Sequence, residues 1–420
     1  MSLSPTLVQA VAATLFAIAL VHTFSTKVFE RLAHQNGHHA GVWHLLGEVE
    51  VVFGLWAMVL IVFMSLSGGT RSATEYLDSR SFTEPMFVFA IMVIAGSRPV
   101  LQAALACVRA VGAALPMPRA MAGYFTALAF VPLLGSFITE PAAMTLAALI
   151  LRDRVFAQPL SNSCRYVTLG VLFVNVSIGG TLTPFAAPPV LMVAGQWGWD
   201  LGFMLVNFGW RAALAVIVNA LGATLVFRKE LSKLRVGDDG SKERVPPLIV
   251  AIHLIVLGGV VAFAHHPPVF MGLFLFFLGF ASAYRRFQDR LILREGLLVA
   301  FFLGGLIVLG GQQQWWLDPL LKGMDSNTVY YGATALTAIT DNAALTYLGS
   351  LVEGVDEEFR YALVAGAVTG GGLTVIANAP NPAGFAILRG SFADQTINPL
   401  GLLCAAALPT LVAVVAFRLL

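Results

Sequence analysis

Uncharged apolar stretches of about 20 residues recur along this chain from end to end. A helix needs about 20 apolar residues to cross the hydrocarbon core of a bilayer. Only 11% of the residues are charged and 58% are hydrophobic, whereas soluble domains carry about 25% charged residues. The sequence therefore predicts an all-α polytopic membrane protein that has the lipid bilayer as its solvent.

Apolar length and flanking polar residues predict about ten full spans and two segments of a different kind. The predicted full spans are 5–24, 42–65, 86–108, 166–194, 200–227, 247–264, 268–284, 296–311, 360–388 and 396–417. The other two segments, 119–151 and 325–353, have polar residues near the middle and charges at both ends. Each arm of these segments has about half the length needed to cross a bilayer, so both are predicted to be re-entrant helical hairpins.

Basic residues are distributed unevenly between the two sides of this predicted topology. When the spans alternate and each hairpin returns to its own side, most of the 25 Lys and Arg residues fall on one side. The positive-inside rule makes that side cytoplasmic. We therefore expect a multi-pass protein of the cell (inner) membrane with both termini outside. The hairpin at 119–151 is then expected to enter from the cytoplasm and that at 325–353 from outside.

Two motifs occur once in each half of the chain. "ITEPAAMTLAALI" (138–150) and "ITDNAALTYLGSL" (339–351) are identical at five of their first eight positions, and Glu140 aligns with Asp341. Because the two hairpins point in opposite directions, the sequence predicts inverted-topology repeats, an architecture of secondary transporters. The predicted repeats are 1–227 and 247–420, joined by a charged cytoplasmic linker at 228–246.

The second motif pair lies inside two predicted spans. "GGTLTPFAAPP" (179–189) aligns with "GGGLTVIANAP" (370–380) at six identities in eleven. Glycine and proline in mid-span break a helix, and free backbone carbonyls at that depth are tolerated only beside protein or a cavity. Broken helices are therefore predicted at 166–194 and 360–388. The residues predicted to form these breaks are Gly179, Gly180, Gly370, Gly371, Pro189 and Pro380.

The two carboxylates are the leading candidates for chemistry. A carboxylate at the bilayer centre costs about 3 kcal/mol even on the lenient insertion scale, so it indicates function by default. Glu140 and Asp341 are each predicted to hold a proton or a sodium ion, and that competition is the minimum requirement for antiport. Neutral oxygen ligands are predicted from Thr139, Thr340, Asn342, Thr183, Thr374 and Asn378. The alternative is that each carboxylate only caps a hairpin helix.

These segments resemble the ion transporter superfamily of sodium/proton antiporters, arsenite permeases and dicarboxylate carriers. The nearest resemblance, through "TDNAALTYLGSLVEG" (340–354) and "VIANAPNPAG" (375–384), is to its putative sodium/proton antiporter family. The resemblance implies a transport domain that holds both hairpins, a scaffold that forms a homodimer, and elevator-like alternating access. It also implies sodium (or lithium) ions and protons as transported species, with no cofactor.

The hairpin tips depart from one branch of that superfamily. Dicarboxylate carriers have Ser-Asn-Thr at the tips, where this chain has "TEP" (139–141) and "TDN" (340–342). Two acidic tips repel a carboxylate substrate and favour a small cation. An anion carrier that uses helix N-termini remains the first alternative. An intramembrane enzyme is the second, although neither a His-Glu-x-x-His motif nor a Gly-Asp pair facing a second catalytic Asp is evident.

The remaining features support no other class of function. No Walker-type nucleotide-binding loop is present. We expect no nucleic-acid partner, and the formal net charge of +2 says nothing about one. The three cysteines lie far apart in apolar sequence, which argues against a disulfide framework or a zinc site. His34, His38, His39 and His44 cluster at a predicted cytoplasmic turn. They are either a pH sensor, an adventitious metal site or simply a solvated polar turn.

Overall fold

The computed structural model describes residues 5–35, 40–234, 243–392 and 395–420, and all regular structure within them is helical. The first helices are α1 (Leu7–Gln35), α2 (Ala40–Gly47), α3 (Val49–Gly68), α4 (Thr70–Asp78), α5 (Thr83–Ala95), α6 (Arg98–Ala114), α7 (Arg119–Leu128), α8 (Phe130–Ile138), α9 (Glu140–Leu151), α10 (Asn162–Gly179) and α11 (Pro188–Trp197). The others are α12 (Leu201–Met204), α13 (Trp210–Val226), α14 (Arg228–Leu231), α15 (Pro247–Ala262), α16 (Pro267–Ala283), α17 (Leu293–Gly310), α18 (Gln314–Leu321), α19 (Ser326–Thr337), α20 (Asn342–Ser350), α21 (Glu357–Gly370), α22 (Asn381–Leu388) and α23 (Pro399–Arg418).

Six helical stretches in the described residues are long and apolar enough to cross a membrane. They are Leu7–Thr26, Val49–Gly68, Asn162–Leu182, Leu201–Val226, Leu293–Gly310 and Pro399–Arg418. The bent pairs α5–α6 (68°) and α7–α8 (41°) raise the number to eight if each pair is one span. The protein is therefore a multi-pass membrane protein. The predicted number of about ten full spans stays a prediction, because α15 and α16 are apolar but shorter, with 16 and 17 residues.

Contacts between Cα atoms divide the chain into two compact units. The first comprises Met1–Ala90, Leu293–Asp325 and Tyr347–Asp356. Within it, α17 packs against α3 at a pair of glycines, since a Cβ on Gly305 would collide with the Gly54 backbone. Beside this crossing the Phe53 and Phe302 rings meet edge to face at 5.3 Å between centroids. Small residues at a crossing let backbones approach closely, which is typical of helix packing inside membranes.

The second unit comprises Ile91–Ile292, Ser326–Thr346 and Glu357–Leu420. Its centre is α10, because 78% of the residues in that span are buried. In the first span of the chain only 28% are buried. Helices α8, α9, α13, α21 and α23 all contact α10. A Cβ on Gly170 would lie 2.6 Å from the carbonyl carbon of Ala405, so α10 and α23 nearly touch through their backbones. This unit holds every residue of the candidate site.

Some predicted features lie partly outside the described residues. His38 and His39 of the histidine cluster do so, and His44 is exposed on α2. Residues 235–242 of the predicted linker also lie outside them, while α14 forms its first turn. The predicted division into two repeats joined by this linker stays a prediction.

Candidate functional site

The first hairpin tip places a carboxylate inside the protein. A single residue, Thr139, separates the end of α8 from the start of α9, and its φ of 74° ends α8 abruptly. Helix α9 can begin at Glu140 because Pro141, which has no N–H to donate, fits in the first turn. The Glu140 side chain is fully buried. A carboxylate in this position needs a partner of its own, since burial without one is costly.

That partner is Asn378, in the break between α21 and α22. Its Nδ2 donates a hydrogen bond of 2.9 Å to Glu140 Oε2, and its own side chain is 1% exposed. The other carboxylate oxygen, Glu140 Oε1, is buried and has no hydrogen-bond partner. A Cβ on Gly180 would collide with this oxygen, so only glycine leaves room for it. One oxygen of the carboxylate is therefore held by Asn378, and the other is buried with no hydrogen-bond partner.

The second tip uses its carboxylate differently. Asp341 immediately precedes α20, and its Oδ1 accepts hydrogen bonds from the backbone amides of Ala343 at 2.9 Å and Ala344 at 3.1 Å. This is helix capping, as the alternative in the sequence analysis predicted for both tips. Glu140 makes no such cap, because its Oε2 accepts from Asn378 and its Oε1 has no hydrogen-bond partner. Asp341 lies near Glu140 along the chain of contacts, because the next residue, Asn342, bonds to Ala377, and Ala377 precedes the Asn378 that binds Glu140.

The two tips meet at adjacent residues of one helix break. The backbone amide of Asn342 donates to the carbonyl of Ala377 at 3.2 Å, and the next residue is the Asn378 that binds Glu140. Ser177 of α10 lies at the same break, because a Cβ on Gly371 would collide with its Oγ and would also lie 2.9 Å from Asn342 Nδ2. Three segments that are far apart in sequence are therefore brought together, with both acidic tips on the same strip of unwound chain.

Buried oxygen atoms without hydrogen-bond partners are concentrated at this meeting point. They are Thr139 Oγ1, Glu140 Oε1, Thr337 Oγ1, Asn342 Oδ1, Asn378 Oδ1 and Asn381 Oδ1. Buried polar atoms are nearly always paired, and each exception calls for an explanation such as an ion or a water. Carboxylate, amide and hydroxyl oxygens are the ligands that hard cations prefer. The chemistry of these oxygens therefore fits a small cation.

The neutral residues predicted as ligands do not all join this set. Thr139, Asn342 and Asn378 do. The hydroxyls of Thr183 and Thr374 instead donate to the carbonyls of Ser136 and Ala338, at 2.7 Å and 2.8 Å, and so tie each broken helix to a hairpin arm.

Thr340 donates to Leu336 within its own arm at 3.0 Å and is only half-buried. The structure therefore does not bring its hydroxyl into the cluster of buried oxygens.

Both predicted broken helices are interrupted at their glycine- and proline-containing motifs. Residues 371–380 separate α21 from α22, and a short 3₁₀ turn, Gly180–Leu182, ends the first half of the other broken helix. Gly179 and Gly370 allow close approach of the hairpin arms, because a Cβ on either would lie within 2.7 Å of the carbonyl oxygen of Pro132 or Thr334. Pro189 lies in the first turn of α11, and Pro380 immediately precedes α22.

Four polar residues at the site were not predicted. Ser136 donates to the Gly179 carbonyl at 2.8 Å, and Ser177 donates to that of Val368 at 2.7 Å. Thr337 and Asn381 contribute unpartnered oxygens. Extending the tip alignment upstream pairs Ser136 of "SFITE" with Thr337 of "TAITD", and this signal was available in the sequence.

Comparison with known proteins agrees with the chemistry of this site. The family described as putative Na+/H+ antiporter matches residues 7–420, which is almost the whole chain. The chain belongs to this family. No curated protein matches it. Membership of this family supports cation/proton antiport as the general function of the protein. It agrees with the multi-pass fold and with the buried carboxylate among unpartnered oxygens.

Proposed function

We propose that the protein exchanges sodium, or lithium, for protons, and that Glu140 is the group for which the two compete. One observation carries the proposal. Glu140 Oε1 is buried without a partner, and five other unpartnered oxygens are concentrated in the three segments that meet at the tips. A proton on Glu140 removes the charge that attracts a cation, and a bound cation displaces the proton. Binding one ion therefore requires release of the other.

The neutral oxygens replace the water that a cation loses on binding. Asn378 holds one carboxylate oxygen in place by its 2.9 Å hydrogen bond, while its own Oδ1 has no partner. Asn342 and Thr139 contribute oxygens from the two tips. Asp341 adds negative charge near the site while its Oδ1 caps α20. The site thus carries negative charge that disfavours an anionic substrate, which favours a cation over the anion alternative.

Alternating access is proposed to arise from inverted repeats with two re-entrant hairpins. The hairpin arms α9, α19 and α20 have 12, 12 and 9 residues. At 1.5 Å per residue the longest of these three extends about 18 Å, which is too short to cross a bilayer. The fourth arm, α7–α8, is bent by 41°, and its two helices together are long and apolar enough to count as one span. Elevator-like movement of the hairpins in a homodimer, in the inner membrane with both termini outside, completes the proposal.

The direct test is cation-dependent proton flux. The purified protein is reconstituted into liposomes that contain a pH-sensitive dye, and sodium, lithium, potassium or calcium is added outside. We expect sodium or lithium to drive proton movement in the opposite direction, with no response in protein-free liposomes. Proton flux driven by none of the four cations, together with uptake of an oxyanion, would contradict the proposal in favour of the anion alternative.

The orientation of the two hairpins is tested by cysteine labelling. Ala157 follows the first hairpin and Glu353 follows the second, and both are exposed. Each is replaced by cysteine in a background in which Cys107, Cys164 and Cys404 are serine. A membrane-impermeant maleimide is expected to label Glu353→Cys in intact cells and Ala157→Cys only in inverted vesicles. If both positions react from the same side, the repeats are not inverted.

Thr139→Gly separates stability from ion binding. The backbone of Thr139 has a φ of 74° and a ψ of 150°, a region that costs a residue with a Cβ about 1–3 kcal/mol. Its buried hydroxyl has no partner, which adds about 1–3 kcal/mol. Glycine removes both costs but loses methyl burial and chain entropy, each about 1 kcal/mol. We therefore expect equal or higher thermal stability in detergent, with an apparent sodium affinity lowered severalfold.

Thr139→Ser is the matched control, since it keeps the hydroxyl. It is expected to retain the sodium affinity of the original protein and to show none of the gain in stability. If the glycine variant binds sodium as well as the serine variant does, the hydroxyl is not a ligand.

A further inference from the structure

A cavity of about 630 Å³ opens at the N-terminal end of α10, away from the carboxylate site. The residues that line this cavity are of two kinds, polar and apolar. Asn162, Arg165 and Ser391 are polar, whereas Phe156, Leu160 and Phe392 are apolar. Helix α9 begins at Glu140, and its 12 residues extend about 18 Å before the chain reaches Phe156. The cavity is therefore separate from the proposed site of exchange.

Arg165 is the charged group of this cavity. Its guanidinium donates through one terminal nitrogen to the Ser391 carbonyl at 2.5 Å. Its Nε is buried and has no hydrogen-bond partner. Among the described residues no carboxylate forms a salt bridge with Arg165. A guanidinium that is held in place with donors to spare is suited to bidentate binding of a phosphate or carboxylate.

The surroundings favour an anion further. Asn162 and Arg165 lie in the first turn of α10, where helix N-termini attract negative charge. The carboxylate of Glu230 already accepts from the amide and the hydroxyl of Ser161 just before the helix, so a bound anion depends on Arg165 for its positive charge. Arg389, exposed beside the cavity residue Gly390, adds a second positive charge.

The apolar half of the cavity points to the source of the anion. The Phe156 and Phe392 rings meet edge to face at 6.0 Å between centroids and form an apolar wall. Because α10 is a candidate span that begins at Asn162, the cavity lies at the level of the membrane boundary. Basic pockets between helices at this level bind lipid headgroups. We propose that this cavity binds a phosphate group, carried by an anionic phospholipid whose glycerol and acyl carbons contact the phenylalanines.

The test measures thermal unfolding of the full-length protein in detergent as phosphatidic acid, phosphatidylcholine or inorganic phosphate is added. We expect phosphatidic acid alone to raise the unfolding temperature. In Arg165→Gln its apparent affinity is expected to fall at least about tenfold. Gly390→Leu is a second variant that fills the cavity and leaves Arg165 unchanged, since a Cβ there meets no atom within 4 Å. It is expected to weaken binding equally.

Arg285→Gln is the matched control, because it removes an exposed arginine elsewhere and is expected to bind as the original protein does. An Arg165-dependent rise with inorganic phosphate would support the phosphate site but replace the lipid by a soluble source. If phosphatidic acid stabilises the original protein and both cavity variants equally, or stabilises none of them, the proposal is wrong.

Discussion

Glu140→Gln is expected to reduce sodium-driven proton flux to the level of protein-free liposomes. The amide has nearly the same size and still accepts the hydrogen bond that Asn378 now donates to Oε2 at 2.9 Å. It cannot exchange a proton for a cation at any accessible pH. Thermal stability in detergent is expected to stay equal or to rise by about 1 kcal/mol, because removing a buried charge relieves desolvation. The measurement is flux in proteoliposomes together with thermal unfolding of the same preparation.

The matched control is Glu75→Gln, the same chemical change in an exposed acid of α4 that pairs with Arg71 at 2.7 Å. Exposed pairs of this kind contribute little, so neither flux nor stability should change measurably. Sodium-driven flux through Glu140→Gln at the rate of the original protein would show that the exchanging carboxylate lies elsewhere.

Much of the fold could be predicted from the sequence because bilayer solvent leaves few choices. Uncharged length identifies membrane helices, and charged residues at both ends of a segment mark where it leaves the apolar region. The predicted segment 119–151 begins where α7 begins, at Arg119, and ends where α9 ends, at Leu151. The double-glycine motifs also coincide with the observed breaks in both helices, since glycine and proline weaken a helix wherever it lies.

The division of roles at the site could not be predicted from the sequence. Thr139 and Thr340 occupy the same position in the two tip motifs, yet one hydroxyl is buried without a partner and the other bonds within its own arm. Which environment a tip receives depends on the chain that packs against it. Asn378 reaches Glu140 because the break at 371–380 brings both tips together. Sequence similarity between the two motifs does not predict that contact.

The same limit applies to the two carboxylates. Their alignment predicted equal roles in proton and cation exchange, whereas in the structure Glu140 bonds to a side chain and Asp341 bonds to the first amides of its own helix. The position of each acid relative to its helix contributes to the difference. Asp341 lies just before α20, where its side chain reaches the first amides. Glu140 is itself the first residue of α9, and the amide of Ala143 donates to the carbonyl of Thr139 instead.

This asymmetry predicts that Asp341→Asn is a milder change than Glu140→Gln. Asparagine caps a helix as well as aspartate does, so the amides of Ala343 and Ala344 keep their acceptor and stability should not change. What is lost is one negative charge near the site. A loss of about 1.4 kcal/mol of attraction, modest for charges inside a protein, lowers the apparent sodium affinity on the order of tenfold. Proton flux measured against sodium concentration is therefore expected to keep its maximal rate and to require more sodium.

Asp341→Ala distinguishes the charge from the cap. It removes the same charge and should lower the sodium affinity to the same extent, but it also leaves the first amides of α20 without their acceptor. That loss costs about 1 kcal/mol, so its unfolding temperature should fall below that of Asp341→Asn. Complete loss of flux in a stable Asp341→Asn protein would mean that both carboxylates exchange protons. The likeness of the two tip motifs would then describe function better than the hydrogen bonds of Asp341 do.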